Sequence, residues 1–230
     1  MACSCCAFPD AAERQFTPQK AAGEMKRYRE KGPGPTTRLL RDGLADAGLL
    51  EGTLLDVGGG VGALSFELLD RGVARAVVVD ASAAYLAVAS EEATRRGRFP
   101  ITEFVHGDFI NVSGHIPPAD VVALDRVVCC YPFYEPLLAQ ALRHAARAFA
   151  VSYPRDLWYI RVGVWFENAL RRWRANPFRM FVHPASRMET LVTGAGFELV
   201  SRRRTWMWSA DVFRKKIPAQ DKAFGPIRRD

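Results

Sequence analysis

The chain has few of the features that mark secreted or membrane-spanning proteins. Its five cysteines, Cys3, Cys5, Cys6, Cys129 and Cys130, are too crowded along the sequence to suggest a disulfide framework. The N-terminal segment lacks a basic leader followed by an apolar stretch, and no apolar run approaches the roughly 18 residues that a membrane span needs. We therefore expect a cytoplasmic protein in a reducing environment.

The composition also excludes intrinsic disorder, collagen-like repeats and coiled coil. Of the 230 residues, 49% are hydrophobic and 25% are charged, which is typical of a globular chain with a core of its own. The length fits one large domain, or one domain with a lid. We expect an N-terminal tail and lid helix over residues 1–35, the principal domain over 36–217 and a C-terminal tail over 218–230.

The positive charge is concentrated in the C-terminal third of the chain. The formal net charge is +7, and residues 151–230 hold 16 Lys and Arg against 7 Asp and Glu, mainly in the clusters Arg171–Arg174 and Arg202–Arg204. Such clusters can mark a nucleic acid, an anionic membrane surface or an acidic substrate as the partner. The solvated face of a helix or of an edge strand gives the same pattern, and we favour that interpretation.

Short apolar segments alternate with helical ones through most of the sequence. Helices over 17–30 and after Thr36 or Thr37 are followed by strands at 53–57, 74–80, 119–125 and 148–154, with helices at 63–71, 83–96 and 135–147 between them. Helices at 157–174 and 185–194 then lead to two strands that form a hairpin. The pattern predicts an α/β fold with a parallel sheet covered on both faces and an antiparallel ending.

A glycine-rich turn joins the first strand to its helix in LLDVGGGVGAL. Gly58, Gly60 and Gly62 let the backbone turn sharply and approach a ligand, and the helix behind them offers unpaired N–H groups. Asp80 closes the next strand, where a carboxylate can accept both hydroxyls of a ribose. A glycine turn alone is a weak signal, and the acid at the second strand end strengthens it.

With Asp56 added, the turn has the D-x-G-x-G-x-G form and resembles the first motif of the class I S-adenosylmethionine-dependent methyltransferases. Asp80, with Ala81 after it, matches the ribose-binding acid of that family. Gly107-Asp108-Phe109 resembles its adenine-binding segment, and Asp125 matches its fourth motif, beside the methionine moiety. The resemblance covers roughly residues 36–215. It implies S-adenosylmethionine as cofactor and a doubly wound, Rossmann-like sheet of seven strands, mostly parallel with a reversed last strand, with helices on both faces.

Two other functions fit the glycine turn less well. A loose dinucleotide pattern, Gly58-x-Gly60-x-x-Ala63, would suit an NAD-dependent oxidoreductase, but Asp56 would then put a carboxylate near the pyrophosphate, and the Tyr-x-x-x-Lys pair of short-chain dehydrogenases is missing. A binding module that has lost activity is the other alternative. We expect an enzyme.

The segment after the fourth strand indicates which class of molecule accepts the methyl group. The family's enzymes that methylate DNA bases or glutamine carry Pro-Pro and an aromatic residue there, whereas this chain has Asp125-Arg126-Val127-Val128-Cys129-Cys130. We therefore expect methyl transfer to a small, aromatic or lipophilic molecule, with oxygen favoured over carbon or sulfur. An RNA methyltransferase using the basic C-terminal third is an alternative, although no RNA-binding module is recognisable.

No catalytic base can be named from the sequence, but Tyr28, Tyr131 and His183 are candidates. Methyl transfer is an in-line displacement, so the protein mainly aligns the reactants and, for a hydroxyl or carbon acceptor, supplies a base. Tyr28 also lies in a segment that resembles the cofactor lid of small-molecule methyltransferases, although a plain helix covering the sheet edge explains it equally well.

The substrate candidates are Arg126, Cys129, Cys130 and Trp158. Trp158 belongs to a helix over Leu157–Arg174 that could roof a pocket or touch a membrane surface, although we favour ordinary burial against the sheet. Cys129 and Cys130 could converge with Cys3, Cys5 and Cys6 on a metalloid or thiol-linked substrate. Successive side chains of an extended segment alternate, however, so we favour one packed thiol and a disordered tail, and we predict no metal site. The oligomeric state is not predicted.

Overall fold

In the computed structural model, which describes residues 8–216 and the side chains from residue 11 onward, strands and helices alternate through the middle of the chain. The strands are β1 (Thr53–Val57), β2 (Arg75–Asp80), β3 (Thr102–His106), β4 (Ala119–Asp125), β5 (Ala145–Pro154), β6 (Phe197–Arg204) and β7 (Trp208–Lys215). The helices are α1 (Phe8–Gln15), α2 (Pro18–Lys31), α3 (Pro35–Asp46), α4 (Ala63–Leu69), α5 (Ala83–Arg95), α6 (Phe109–Val112), α7 (Tyr134–His144), α8 (Trp158–Trp173) and α9 (Ala185–Gly194). Short 3-10 turns lie at Phe99–Ile101, Ser113–His115 and Val128–Cys130.

The seven strands form one sheet in the order β3-β2-β1-β4-β5-β7-β6. Neighbours from β3 to β5 pair in parallel, and β7 runs antiparallel to both β5 and β6. The predicted doubly wound sheet with a reversed last strand is therefore confirmed. The chain order changes direction between β1 and β4, which is where open α/β sheets bind their ligands.

The sheet is buried on both faces, and its central strands are apolar at most positions. In β4, Val122 and Leu124 pack into one core with α7 and α9, while Val121 and Ala123 pack into the other with α3 and α4. This arrangement explains the continuous apolar runs in the sequence, since a strand with one solvated face would alternate with polar residues.

Some predicted boundaries differ from the structure. Residues 8–15, within the predicted tail and lid segment, form a separate helix before the predicted one. Helix α3 is capped by Gly34 with Pro35 in its first turn, and not by Thr36 or Thr37, both of which are buried inside it. Strand β5 begins at Ala145, within a segment whose alanines favoured helix, because its pairing with β4 overrides local propensity.

Helix α8 departs furthest from expectation. We expected its apolar residues to be buried against the sheet, yet Ile160 is its one buried residue and its tryptophans are exposed. The preference for ordinary burial was therefore wrong. None of the helices described between residues 8 and 216 is long and apolar enough to cross a bilayer.

Candidate cofactor and substrate site

Two adjoining cavities lie at the carboxyl ends of β1, β2 and β4. The first has a volume of about 70 Å³ and is lined by Ala12, Phe16, Val57, Gly58, Val79, Asp80, Ala81, Gly107, Phe109, Arg126, Val127, Cys130 and Tyr131. The second has a volume of about 230 Å³ and is lined by Gln15, Phe16, Glu24, Gly58, Gly60, Asp80, Tyr85, Asp125, Arg126, Cys129, Cys130, Arg171, Phe178, Met180 and Trp208. Their shared residues are Phe16, Gly58, Asp80, Arg126 and Cys130.

The glycine turn forms the wall between the cavities and the sheet. Gly58 has a φ of +66°, and a Cβ added to it would lie 2.6 Å from a methyl group of Val127. Gly60 has a φ of +58° and lines the second cavity. Any side chain at Gly58 would therefore strain the backbone and also intrude on the space beside the turn.

Asp80 provides the test of whether this site fits S-adenosylmethionine. Its two carboxylate oxygens accept hydrogen bonds from Gly60 N (2.9 Å) and Ser82 N (2.8 Å), which fixes the carboxylate against both cavities. Each oxygen has two acceptor positions, so each can still accept a hydroxyl. Burial raises the pKa of Asp80. The residues present therefore fit a cofactor whose ribose hydroxyls bind here.

Asp56 lies behind the glycine turn, on the α4 side of the sheet, and lines neither cavity. It is fully buried, accepts a hydrogen bond from the Ser65 hydroxyl at 2.7 Å, and leaves its other oxygen without a partner among the described residues. Burial raises the pKa of this carboxyl to about 7. Its position suits the prediction that it orients the loop, while direct contact with a ligand would require movement. Gly62, with a φ of +79°, caps α4 and likewise lines neither cavity.

The predicted adenine segment forms the far wall of the first cavity. Gly107 and Phe109 line it, whereas the Asp108 carboxylate caps α6 and accepts a 2.8 Å hydrogen bond from the Tyr131 hydroxyl. Burial raises the pKa of Tyr131, so this hydroxyl stays protonated and acts as a donor. Tyr131 thus holds the segment in place, with its hydroxyl as a hydrogen-bond donor to Asp108.

Arg126 lines both cavities, and Asp125 beside it lines the second. The Asp125 carboxylate accepts hydrogen bonds from the hydroxyls of Thr37 and Ser152, both at 2.6 Å. Arg126 has a φ of +63°, which is rare for a residue with a side chain, and its backbone N donates to the Ser152 hydroxyl at 2.8 Å. Backbone strain of this kind is concentrated at functional sites, and here it puts a cation beside both cavities.

The two vicinal thiols lie on a 3-10 turn, not on an extended segment, so the argument that they must face opposite ways was wrong. Both line the second cavity, and their sulfurs are 4.0 Å apart. The hydrogen bond between them and burial raise the pKa of Cys130. Cys3, Cys5 and Cys6 lie outside the described residues, and residues 8–216 contain no cluster of three or more ligands that could hold a metal ion.

His183 supports this turn from behind. Its Nε2 lies 3.1 Å from the Val128 carbonyl oxygen and 2.9 Å from the Tyr131 carbonyl oxygen. Carbonyl oxygens only accept, so Nε2 carries the proton. Burial lowers the pKa of His183, and the ring lines neither cavity. It positions the residues that face the site.

The N-terminal segment covers the site, but through different residues from those predicted. Phe16 lies over both cavities and packs edge-on against Tyr85 and Phe178, each at a ring distance of 5.4 Å. Its carbonyl oxygen accepts a bond from the Ser82 hydroxyl at 3.0 Å. Tyr28 is buried elsewhere and donates to Glu67 at 3.1 Å, so it does not cover the cavities and is not placed to act as a base there.

Sequence reasoning missed most of the second cavity. Glu24, Tyr85 and the pair Phe178 and Met180 come from three separate segments that meet only in the folded chain. Phe16 carried one usable signal, an apolar residue directly before the Thr17-Pro18 helix start. Trp158, a predicted substrate residue, is exposed at the start of α8 and lines neither cavity.

Comparisons with known proteins agree with this geometry. Residues 54–151 match the family model described as a methyltransferase domain. No curated protein matches the chain. The matched region runs from β1 to β5, and it therefore includes the glycine turn, Asp80 and Asp125 but not the N-terminal helices or α8.

Solved structures of similar fold include enzymes of different substrate classes. Magnesium protoporphyrin IX methyltransferase from Synechocystis PCC 6803 with bound SAH is 17% identical with a TM-score of 0.69, over 91% of this chain and 100% of that one. Human N-acetylserotonin methyltransferase in complex with SAM is 18% identical with a TM-score of 0.61, over 87% and 56%. A putative RNA methyltransferase from Pyrococcus horikoshii is 17% identical with a TM-score of 0.56, over 83% and 86%. At these identities the likeness concerns the fold.

Proposed function

We propose that the protein is a class I S-adenosylmethionine-dependent methyltransferase and that it methylates a small aromatic or lipophilic molecule, with oxygen as the favoured acceptor. The match of residues 54–151 to the methyltransferase domain family model supports the proposal. The bound cofactor supplies an electrophilic methyl group on a sulfonium sulfur. The nucleoside part of the cofactor would be held by Gly58, Gly60 and Asp80, and its adenine ring would lie beside Ala81 and Phe109.

The residues that line the second cavity support the proposal about the acceptor molecule. Its walls include Phe16, Phe178, Met180 and Trp208, together with the two thiols, and it adjoins the first cavity at Gly58 and Asp80. An aromatic and apolar cover over a cavity of this size, with charged groups at its edge, suits one small molecule. A nucleic-acid strand would instead need an open, basic groove.

Glu24 is our candidate for the base. It lines the second cavity from α2, next to Tyr85, whose pKa is raised by burial and then by the Glu24 carboxylate. The other carboxylates there have assigned partners, since Asp80 binds two backbone amides and Asp125 binds two hydroxyls. Glu24 would take the proton from an acceptor hydroxyl while the hydroxyl oxygen forms its bond to the methyl carbon and the bond between that carbon and the sulfur breaks.

Cofactor binding is tested by isothermal titration with S-adenosylmethionine and its demethylated product. The wild type should bind both with micromolar affinity or better. Asp80→Asn keeps the shape but removes the charge, and we expect it to lose about 1.5–3 kcal/mol of binding free energy. Glu103→Gln, an exposed change on β3 away from the cavities, is the matched control. An absence of binding to the wild type would overturn the proposal.

The acceptor class is tested with tritium-labelled cofactor and a panel of phenols, carboxylates, thiols and total RNA. We expect label in small lipophilic phenols, and a lower kcat for Glu24→Gln with little change in cofactor affinity. Label in thiols alone would favour the vicinal cysteines as the acceptor-binding groups. Label in RNA alone would contradict the small-molecule proposal.

The RNA alternative loses part of its electrostatic support in the folded chain. Arg202 pairs with Glu189 and Asp211, and Arg203 pairs with Asp46. Two members of the predicted basic cluster are thus neutralised by partners on the same molecule. A phosphate backbone would have to displace these carboxylates before it could bind there.

A further inference from the structure

We propose that the outer face of α8 binds the surface of an anionic lipid bilayer. This inference goes beyond methyl transfer and does not depend on it. The face, which we call the aromatic face, consists of Trp158, Val162, Trp165, Phe166 and Trp173. Successive steps along this face are four residues (158 to 162 and 162 to 166), three residues (162 to 165) and seven residues (166 to 173). At 3.6 residues per turn these spacings put the side chains on one side of the helix.

Among the residues that the structure describes, no other element covers the aromatic face. Trp158, Trp165 and Trp173 are 77%, 70% and 81% exposed. The opposite side of the helix contacts the body of the protein through Ile160, which is buried, and Asn168, which binds the backbone at Met180. The helix therefore packs through a narrow, partly polar side and leaves its most apolar side in water, the reverse of an ordinary surface helix.

The aromatic face continues beyond α8. The Tyr159 hydroxyl donates to the Trp206 carbonyl oxygen at 3.3 Å, and this contact joins the start of α8 to the β6–β7 connection. Trp206 is itself 68% exposed. Four of the chain's five tryptophans are thus exposed, on two adjoining segments. Tryptophan is the residue that bilayer interfaces prefer, because its ring is apolar and its N–H is polar.

The charges beside the aromatic face select an anionic lipid surface over a second copy of the chain. Arg172, in the last turn of α8, and Arg174, at its C-cap, are exposed next to Trp173, and no salt bridge within residues 8–216 involves them. The single exposed acid of the helix, Glu167, already pairs with Arg171. Two copies packed face to face would bring like charges together, whereas anionic headgroups would neutralise them. Apolar side chains with flanking arginines are the pattern of helices that lie in the membrane interface.

The geometry also puts the second cavity close to such a surface. Arg171, on the inner side of α8, lines that cavity and lies over the Phe178 ring at 5.2 Å. A protein seated on a bilayer through the aromatic face would therefore hold its cavity one helix away from the lipid. A lipophilic molecule dissolved in the membrane would then have a short path to the site.

The test is flotation of the full chain with vesicles of phosphatidylcholine alone, or with a minority of phosphatidylglycerol. Tryptophan emission is followed in parallel, since burial in lipid shifts it to the blue. We expect the wild type to float with the anionic vesicles only. Trp165→Ser with Trp173→Ser should abolish flotation, and Phe99→Ser, an exposed aromatic change before β3, should leave it unaltered.

Removal of the positive charges of Arg172 and Arg174 provides a second, quantitative test of the proposal. Arg172→Gln with Arg174→Gln should weaken binding to anionic vesicles by roughly 25-fold, at about 1 kcal/mol per cation. Circular dichroism checks that each variant is folded, and cofactor titration checks the site independently. Equal flotation of wild type and tryptophan variant, or none at all, would overturn the inference. So would a lipid-free dimer that the tryptophan variant dissociates while vesicle binding stays unchanged.

Discussion

Replacement of Gly58 by alanine is the sharpest perturbation of the glycine turn. Its φ of +66° lies in the left-handed region, where a side chain costs about 1–2 kcal/mol. The new Cβ would also lie 2.6 Å from a Val127 methyl group, and such overpacking typically costs about 1–3 kcal/mol. We therefore expect Gly58→Ala to lower the free energy of unfolding by about 2–5 kcal/mol and to weaken cofactor binding.

A double-mutant cycle separates the two causes. Val127→Ala removes the methyl groups that the new Cβ would meet, so the double variant should be more stable than the sum of the single effects predicts, by about 1–3 kcal/mol. The backbone cost should remain in the double variant. Gly163→Ala is the matched control, because Gly163 lies within α8 with nothing inside 4 Å of its Cβ position, and there alanine should stabilise by about 0.5–1 kcal/mol.

Urea denaturation followed by circular dichroism measures the stability of each variant, and titration with S-adenosylmethionine measures binding. Gly58→Ala with wild-type stability and affinity would refute the reasoning altogether. Strict additivity in the cycle, within about 0.5 kcal/mol, would refute the contact with Val127 as a cause and leave only the backbone conformation.

Three further predictions concern buried ionisable groups. The pKa of Asp56 in the folded protein, about 7, exceeds the ordinary 3.8, so the free energy of unfolding falls by up to about 4 kcal/mol as pH rises between these values. Asp56→Asn should therefore stabilise the protein at about pH 8 and not at about pH 4, as measured by urea denaturation. An equal effect at both pH values would contradict the assignment. The Glu92 carboxylate binds Arg29, Arg95 and Arg96, which lowers its pKa to about 2. Glu92→Gln should therefore cost about 2–3 kcal/mol near neutral pH, and the difference should disappear as pH falls from about 4.5 to about 2. In a chain with Cys3, Cys5 and Cys6 replaced by serine, Cys130 should react with iodoacetamide more slowly at about pH 8 than a free thiol, because its pKa is raised; rapid alkylation would show that the thiol is not held as the structure has it.

The centre of the fold could be predicted from the sequence because its signals are local. Continuous apolar strands, a glycine turn and an acid at the next strand end all lie within residues 53–80, and each reflects a constraint on its own segment. These signals are enough to predict where β1 and β2 lie in the sequence and that Asp80 stands at the end of β2. Parallel strands bring their carboxyl ends to one edge, so Asp125 could be assigned to the same site without knowledge of the packing.

The rest depends on contacts between distant segments. Phe16 reaches Phe178 across most of the chain length, and Tyr28 turns away from the site because Glu67 and Arg96 bind it elsewhere. In α8 the apolar periodicity was visible, but periodicity does not say which side of a helix is covered. A pattern of apolar residues predicts a buried face only where another element is present to bury it.

The segment after β4 lacks the Pro-Pro-aromatic sequence described above, and its hydrogen-bond partners explain the path that the backbone takes instead. Thr37 and Ser152 hold the Asp125 carboxylate from two sides, and Ser152 also accepts the Arg126 amide. With these bonds in place the chain can turn at Arg126 through a left-handed conformation and continue directly into a 3-10 turn. That route brings a cation and two thiols to the wall shared by the cavities. The choice of acceptor is therefore expected to depend on this turn, and exchanges at Arg126 and Cys130 should alter acceptor preference more than they alter cofactor affinity.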